Sequence, residues 1–208
     1  DEVDYELPSA NALTGSHANL IPIPGNVQST RVFYGARFFN QSLPVVGGEA
    51  PLVQSLIDND ADGRSFDDHY GERAGAVRAD DDYEVLEVLR DRLRLKNSRN
   101  EVVEKELYDE LPFNRKSMIT QRPLVKPGDK VTRGAALAAS NYTDDNGTLA
   151  MGLNARIGIV PYKGYSMDDA VVIRQGFADR LRSQTTETFK QDRDEQTIVG
   201  RNHFHSLF

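Results

Sequence analysis

Two adjacent carboxylates, Asp168 and Asp169, are the side chains of this sequence with the clearest chemical potential. They follow a run of turn-forming residues, 162–167, and precede the apolar run 170–173. Adjacent carboxylates at the entrance of a strand suit a hydrated Mg²⁺, because that ion keeps several waters and takes one or two carboxylates from the protein. The pair therefore predicts a metal-linked site, with an ordinary surface turn as the alternative.

A second group of polar side chains lies on a helix predicted near the start of the chain. A cap at Asn26 or Ser29 begins this helix, and Pro44 ends it. Four side chains fall at spacings of three, four and three residues and so share one face: Arg31, Tyr34, Phe38 and Gln41. The guanidinium of Arg31 can bind a phosphate through two hydrogen bonds. The alternative is that Arg31 is an ordinary arginine on the helix surface. A face that mixes these polar groups with two aromatics favours a polar cavity over a core.

Most of the elements that must position these residues are predicted to be strands. Residues 58–82 are rich in Asp and Gly and predict a loop. Residues 83–89 and 92–96 predict two strands, residues 97–100 a turn, and residues 101–108 a further strand. Residues 123–138 predict a β-hairpin whose turn carries Pro127 and Gly128, the pair typical of a type II turn.

The last part of the chain alternates between short strands and turns in the same way. Residues 141–147 predict a loop, residues 154–160 a strand, and residues 162–169 an irregular turn. A buried strand over 170–173, a short helix over 174–183 and a final strand over 185–189 follow. The predicted fold class is therefore α+β, dominated by strands, with one clear helix.

Composition sets limits on the class of protein. The chain has 208 residues, a formal charge of −7 and no cysteine, which excludes disulfides and thiolate metal sites. The net charge has the wrong sign for a protein whose whole surface grips nucleic acid. The sequence has no apolar run of membrane-spanning length, and it begins at Asp1, so we expect an internal segment of an intracellular protein that has no membrane partner.

Three blocks of this sequence resemble the β (second-largest) subunit of multisubunit DNA-dependent RNA polymerases. The first block resembles the family pattern ASLIPF followed by ANRALMGANMQRQAVP. Its matching positions are Leu20, Ile21, Pro22, Arg31, Gly35, Ala36, Gln41 and Pro44. The hairpin and residues 147–152 resemble the order VxxGDxVxxGDxLA and GELALG, and residues 154–173 resemble NxxVAFMPWxGYNFEDAIVIS. The three blocks occur in the family's order.

The resemblance implies a region that leads into, and partly builds, a double-psi β-barrel of the β subunit. It divides the chain into a fork-like segment with the helix (residues 1–50), a divergent β-rich insertion (51–115), the hairpin and barrel strands with the acidic turn (116–190), and the truncated start of the next segment (191–208). The barrel of β faces a second barrel in the largest subunit, β′.

The resemblance also implies a role for each candidate residue. Arg31 matches an arginine that reaches the phosphates of the incoming nucleotide, and Gln41 matches a glutamine near the RNA 3′ end. Asp168 and Asp169 match the acidic pair of the catalytic site, in which Asp169 acts through water on the nucleotide-associated Mg²⁺. Here the family's Glu-Asp is Asp168 followed by Asp169, so the first carboxylate is one methylene shorter.

The implied activity is DNA-directed RNA synthesis, a nucleotidyl transfer performed only by the assembled enzyme. The implied partners are a β′-type chain that holds the primary Mg²⁺, the remaining β-type chain, template DNA, product RNA and nucleoside triphosphates. The degree of divergence predicts a bacteriophage-encoded enzyme, located in the host cytoplasm or the virion. Two alternatives are a β-derived module that docks on a polymerase or nucleic acid without catalysis, and an unrelated Mg²⁺-dependent hydrolase.

Overall fold

A computed structural model describes residues 13–57, 60–113 and 116–187 of the chain. The helices are α1 (Ser16–Asn19), α2 (Ser29–Gln41), α3 (Phe66–Arg73) and α4 (Gln175–Ala178), with a 3₁₀ turn at Pro24–Asn26. The described strands are β1 (Val77–Arg78), β2 (Tyr83–Val88), β3 (Arg92–Asn97), β4 (Val102–Glu106), β5 (Leu111–Phe113), β6 (Ser117–Ile119), β7 (Gln121–Pro123), β8 (Lys130–Val131) and β9 (Ala136–Ser140). The prediction of a strand-dominated α+β fold is confirmed.

The described strands pair antiparallel in three sheets. One sheet has the order β4-β3-β2-β8, the second has the order β1-β9-β7, and β5 pairs with β6. Short local connections join most neighbours, whereas β2–β8 and β1–β9 pair residues far apart in the chain. Residues of the predicted segments 51–115 and 116–190 thus share all three sheets, and the predicted division itself stays a prediction.

Strict alternation builds the largest core cluster from β2 and β3. Leu93 and Leu95 are fully buried and pack with Val85, while Arg92 and Arg94 lie on the other face of the same strands. Alternate residues of a strand point to opposite faces, so the apolar ones enter the core and the arginines meet carboxylates at the surface. The predicted strands 83–89, 92–96 and 101–108 are confirmed as β2, β3 and β4.

The turn at Lys126–Asp129 has the predicted geometry. Gly128 adopts a φ of 91°, and the Asp129 N–H donates to the Lys126 carbonyl at 3.1 Å. The hairpin is only partly as predicted, because β7 pairs with β9 while β8 pairs with β2. The Gly128 N–H donates to the Val85 carbonyl, so the turn docks on β2 and its return strand joins a different sheet.

The loop predicted for residues 58–82 is partly wrong. This stretch contains α3 and β1, so α2 is not the only substantial helix in the described residues. Ser65 and Asp68 form a reciprocal capping box at the start of α3, which offsets the unpaired N–H groups of its first turn. The composition rich in Asp and Gly favoured a loop, although the capping box of Ser65 and Asp68 indicates a helix.

The boundaries of α2 also differ from the prediction. Its cap is Gln28, which makes no side-chain capping bond, rather than Asn26 or Ser29. The helix ends at Gln41, before Pro44, because the residues that precede a proline are pushed out of the helical region.

The predictions for the last part of the described chain are mostly wrong. Residues 154–160 and 170–173 form no strand, and the second run is exposed, with Val171 at 81%. The predicted helix over 174–183 is limited to α4, and residues 185–187 form no strand; the rest of that strand prediction, and the segment 191–208, lie outside the described residues. An apolar run is buried only where another surface packs against it. The predicted barrel stays a prediction.

Candidate functional site

Helix α2 presents its predicted polar face to the surface of the chain. Arg31, near its start, and Gln41, its last residue, are both exposed. Between them the rings of Tyr34 and Phe38 stack at a centroid distance of 6.5 Å and are 56% and 69% exposed. The expectation of a shared face is confirmed, but in the described part of the chain this face lies at the surface and not in a cavity.

The opposite side of α2 holds the helix on the rest of the chain. Val32 is buried, and Phe39 packs against a core cluster that contains Leu149. A cavity of about 260 Å³ lies on this side, lined in part by Phe39 and the carboxyl of Asp67. Asp67 is only 2% exposed, and burial raises the pKa of its carboxyl above the ordinary value. No sequence pattern had marked Asp67.

The predicted turn before the aspartates is present and is stabilised locally. The Tyr165 N–H donates to the Tyr162 carbonyl at 2.8 Å, across Lys163 and Gly164, which both have positive φ. The Tyr162 N–H in turn donates to the Ser166 hydroxyl at 2.8 Å. Two consecutive left-handed residues are the signature of a type I′ turn, which reverses the chain within four residues.

A second turn of the same kind carries the two carboxylates. The Ala170 N–H donates to the Met167 carbonyl at 3.1 Å, and φ is 53° at Asp168 and 64° at Asp169. Aspartate tolerates this left-handed conformation better than most residues with a side chain. Both aspartates are exposed, so the turn presents two carboxylates at its apex.

Residues 155–179, which we call the arm, carry these turns and are anchored at both ends. At the first end the backbone N–H of Asn154 donates to Glu49 Oε2 at 2.9 Å, and its side-chain amide donates to the Ala50 carbonyl at 2.9 Å. At the second end the Arg180 guanidinium donates to Glu49 Oε1, and the Val46 N–H donates to the Arg182 carbonyl at 2.7 Å. Sequence reasoning missed these anchors, because no local signal marks a contact between residues so far apart.

The two halves of the candidate site are therefore linked through one segment, residues 45–50, which we call the junction. The junction begins shortly after Gln41 ends α2, and it binds both ends of the arm. In the described part of the chain no hydrogen bond or ion pair joins Arg31 or Gln41 to Asp168 or Asp169. The structure brings the two aspartates together, and among the described residues the junction joins the arm to the segment that follows α2.

The carboxylates at the apex fit a hydrated Mg²⁺ better than a metal enclosed by protein. Asp168 and Asp169 offer hard oxygen donors, and their exposure leaves room for the waters that Mg²⁺ retains. Among residues 13–57, 60–113 and 116–187 there is no group of three or more His, Cys, Asp or Glu side chains arranged to hold a metal. The donor set thus suits an ion that another molecule also binds.

The length and composition of the described helices can be compared with what a membrane-spanning helix requires. Within the described ranges, none of them combines the length and the apolar character that crossing a lipid bilayer requires.

Comparison with known proteins identifies the family. The family described as "RNA polymerase Rpb2, domain 6" matches residues 92–204, more than half of the chain. This match includes the arm with Asp168 and Asp169, and it leaves α2 outside.

Relatives with curated descriptions extend the match toward α2. The chain is 28% identical to the DNA-directed RNA polymerase subunit beta of Flavobacterium psychrophilum over 176 residues, which are 83% of this chain and 14% of that subunit. It is 30% identical to the subunits of the same description from Mycoplasmopsis pulmonis and Ehrlichia chaffeensis, over 177 residues each, which are 84% and 83% of this chain and 14% and 12% of those subunits. Alignments of this length include much of the chain before Arg92.

The chain spans only about an eighth of the length of these relatives. They do not address the predicted bacteriophage origin, which stays a prediction. The predicted resemblance to the β subunit is confirmed by both comparisons. The chain belongs to the RNA polymerase Rpb2, domain 6 family and corresponds to a segment of a DNA-directed RNA polymerase β subunit.

Proposed function

We propose that this chain supplies substrate-side residues for nucleotidyl transfer in a multisubunit DNA-directed RNA polymerase. The observation that carries the proposal is the second turn of the arm, which holds Asp168 and Asp169 side by side with both carboxylates exposed. The relatives are polymerase β subunits, and the family match includes this turn. Two consecutive non-glycine residues in the left-handed region carry a conformational cost, and such residues cluster at functional sites.

The roles are those that the family resemblance implies, and the chemistry of each side chain fits its role. The Arg31 guanidinium binds the triphosphate of the incoming nucleotide, since its planar fork matches phosphate oxygens. Gln41, one end of the same helix face, contacts the RNA near its 3′ end through its amide. Asp169 accepts hydrogen bonds from waters of the nucleotide-associated Mg²⁺. Asp168, one methylene shorter than the glutamate that the family has at this position, acts in the same way from a greater distance.

The residues of this chain position groups and supply charge, and they do not themselves form or break bonds. Mg²⁺, when bound, offsets the charge that develops on the phosphates during transfer. The chain's own contribution is to orient the nucleotide through Arg31 and to hold the hydrated ion through the apex carboxylates. The primary ion is held by a β′-type partner, and the remaining β-type chain supplies further residues of the site, with template DNA and RNA between the subunits.

The exposed apolar side chains of the arm support assembly with such partners. Ile157, Ile159 and Val171 are all more than four-fifths exposed, which is costly for a surface that stays in water. The same exposure fits a module that docks without catalysis, so a kinetic experiment has to separate the two functions. A hydrolase unrelated to polymerases is disfavoured by the family match.

The test is a Mg²⁺ titration of single-nucleotide addition by the assembled polymerase that contains this chain. Asp169→Asn should raise the Mg²⁺ concentration for half-maximal addition roughly three- to tenfold, because a water-mediated contact to a charged group is lost. Asp168→Asn should raise this Mg²⁺ concentration less, since the Asp168 carboxylate lies further from the ion than the family's glutamate would. Asn also tolerates the left-handed conformation, so both turns should persist.

Asp179→Asn is the matched control, because Asp179 is an exposed carboxylate of the same arm whose bond from Gln175 an asparagine oxygen can accept. Its titration curve should follow that of the parent enzyme. If the curves of both apex variants coincide with the parent curve, Asp168 and Asp169 have no role in Mg²⁺ binding. The docking function would then be favoured.

A further inference from the structure

Glu49 lies where the two ends of the arm meet the junction. One carboxylate oxygen accepts the Asn154 backbone N–H at 2.9 Å, and the other binds the Arg180 guanidinium. These donors lower the pKa of the Glu49 carboxyl, first through the Asn154 N–H and then through Arg180. A single ionised side chain thereby binds both ends of the loop that contains the acidic apex.

The arm itself supplies little else to hold its place. The hydrogen bonds of residues 155–179 in the described chain run to neighbours along the sequence, as at Tyr165 and Ala170. Most of its large apolar side chains are exposed, Phe177 being half-buried, so they contribute little packing against the body of the chain. The position of the apex thus depends on the contacts at the two ends.

The junction beneath Glu49 is fixed by its backbone. The Glu49 N–H donates to the Gly152 carbonyl at 2.8 Å, and the Val45 N–H donates to the Met151 carbonyl at 2.9 Å. Gly48 lies so close to Ala150 that a Cβ there would overlap the Ala150 carbonyl oxygen. The backbone on either side of Glu49 is therefore tightly packed, with no space for a side chain at Gly48.

The same junction continues from α2, the helix that carries Arg31 and Gln41. Glu49 is thus one side chain that connects the helix half and the arm half of the candidate site. The Val46 N–H to Arg182 bond and the bridge between Val45 and Ser183 add backbone support at one end of the arm only. Glu49 is the group that touches both ends.

We propose that Glu49 is a positioning residue, which sets the place of Asp168 and Asp169 relative to α2 by binding Asn154 and Arg180 at once. The inference rests on the proposed function, and Glu49 acts through the arm without touching substrate. Loss of its charge releases Arg180 and weakens the bond to Asn154, so the apex samples more positions and holds the hydrated ion less well.

The experiment is a double-mutant cycle in the assembled polymerase, with the Mg²⁺ requirement of single-nucleotide addition as the readout. Glu49→Gln alone should raise the half-maximal Mg²⁺ concentration about three- to tenfold, up to the size of the Asp169→Asn effect. Glu49→Gln combined with Asp169→Asn should raise it no further than Asp169→Asn alone, because both changes remove the same contact. Glu84→Gln, an exposed glutamate of β2, is the matched control and should leave the curve unchanged.

Arg180 keeps the test decisive if Glu49→Gln fails to assemble. Arg180→Ala should reproduce the increase, and Arg180→Lys should restore much of the parent behaviour, because an ammonium still binds a carboxylate. A generic packing defect would not be rescued by the second change in this way.

Three results would overturn the inference. Parent-like curves for Glu49→Gln and Arg180→Ala beside a shifted curve for Asp169→Asn would show that the apex does not depend on Glu49. Effects that multiply in the double variant would show that Glu49 acts by a separate route. An unshifted Asp169→Asn curve would refute the proposed function itself, and the positioning role with it.

Discussion

Replacement of Arg31 by Ala tests the substrate-side role of α2 with little effect on the fold. Arg31 is exposed on the outer face, and its backbone N–H donates to the Gln28 carbonyl at 2.8 Å, a bond that alanine retains. Alanine and arginine are both strong helix formers, so the helix should change in stability by only a few tenths of a kcal/mol at most. A loss of activity can then be assigned to the missing guanidinium.

The expected size of that loss follows from the contact removed. A hydrogen bond to a charged group contributes about 1.5–3 kcal/mol, which corresponds to roughly ten- to a hundredfold in kcat/KM. Arg31 is exposed on this chain, and solvent screens exposed charges, so we expect the lower end of the range, about tenfold. The effect should fall on nucleotide use and leave the affinity for template DNA nearly unchanged.

The assay is kcat/KM for single-nucleotide addition by the assembled enzyme, with DNA binding measured in parallel. Arg99→Ala is the control, since Arg99 is an exposed arginine in the turn between β3 and β4 and lies outside α2. It should keep nucleotide kinetics close to those of the parent enzyme. Unchanged kinetics for Arg31→Ala together with weaker DNA binding would refute the phosphate-binding role and make Arg31 a template contact.

Three further predictions concern stability and are measured by denaturant unfolding of the chain. Burial raises the pKa of Asp67, so the free energy of unfolding of the parent chain should fall as the pH rises from the ordinary carboxyl pKa of about 3.9 through the raised value. Asp67→Asn should therefore be no more stable than the parent in acid and more stable than the parent at neutral pH. A stability difference that does not change with pH would contradict this cause. Gly71→Ala should destabilise by about 1–3 kcal/mol despite the better helix propensity of alanine, because a Cβ there would overlap the Gly147 carbonyl oxygen, whereas Gly176→Ala, with nothing nearby, should not. Leu93→Ala should cost about 2–5 kcal/mol, since the side chain is fully buried, and a cost below 1 kcal/mol would show that the core collapses around the gap.

Local chemistry was sufficient for the features that local interactions determine. Alternation predicted β3, since a strand sends successive side chains to opposite faces whatever lies around it. The turn at Pro127 and Gly128 was predictable because the first fixes φ and the second accepts a positive φ. The capping box of Ser65 and Asp68 was also readable, but the Asp- and Gly-rich composition around it favoured a loop.

The candidate site divides along the same line. The residue types of the acidic turn, the shared helix face of Arg31 and Gln41, and the family motifs could all be predicted from the sequence. Tertiary structure alone decided that Glu49 binds Arg180, and that the apolar residues of the arm stay exposed. Spacing along a chain fixes which side chains share a face over a few residues, but a contact between distant segments depends on how every element between them packs. For that reason a single sequence predicts the groups that could do the chemistry and not the residue that holds them in place.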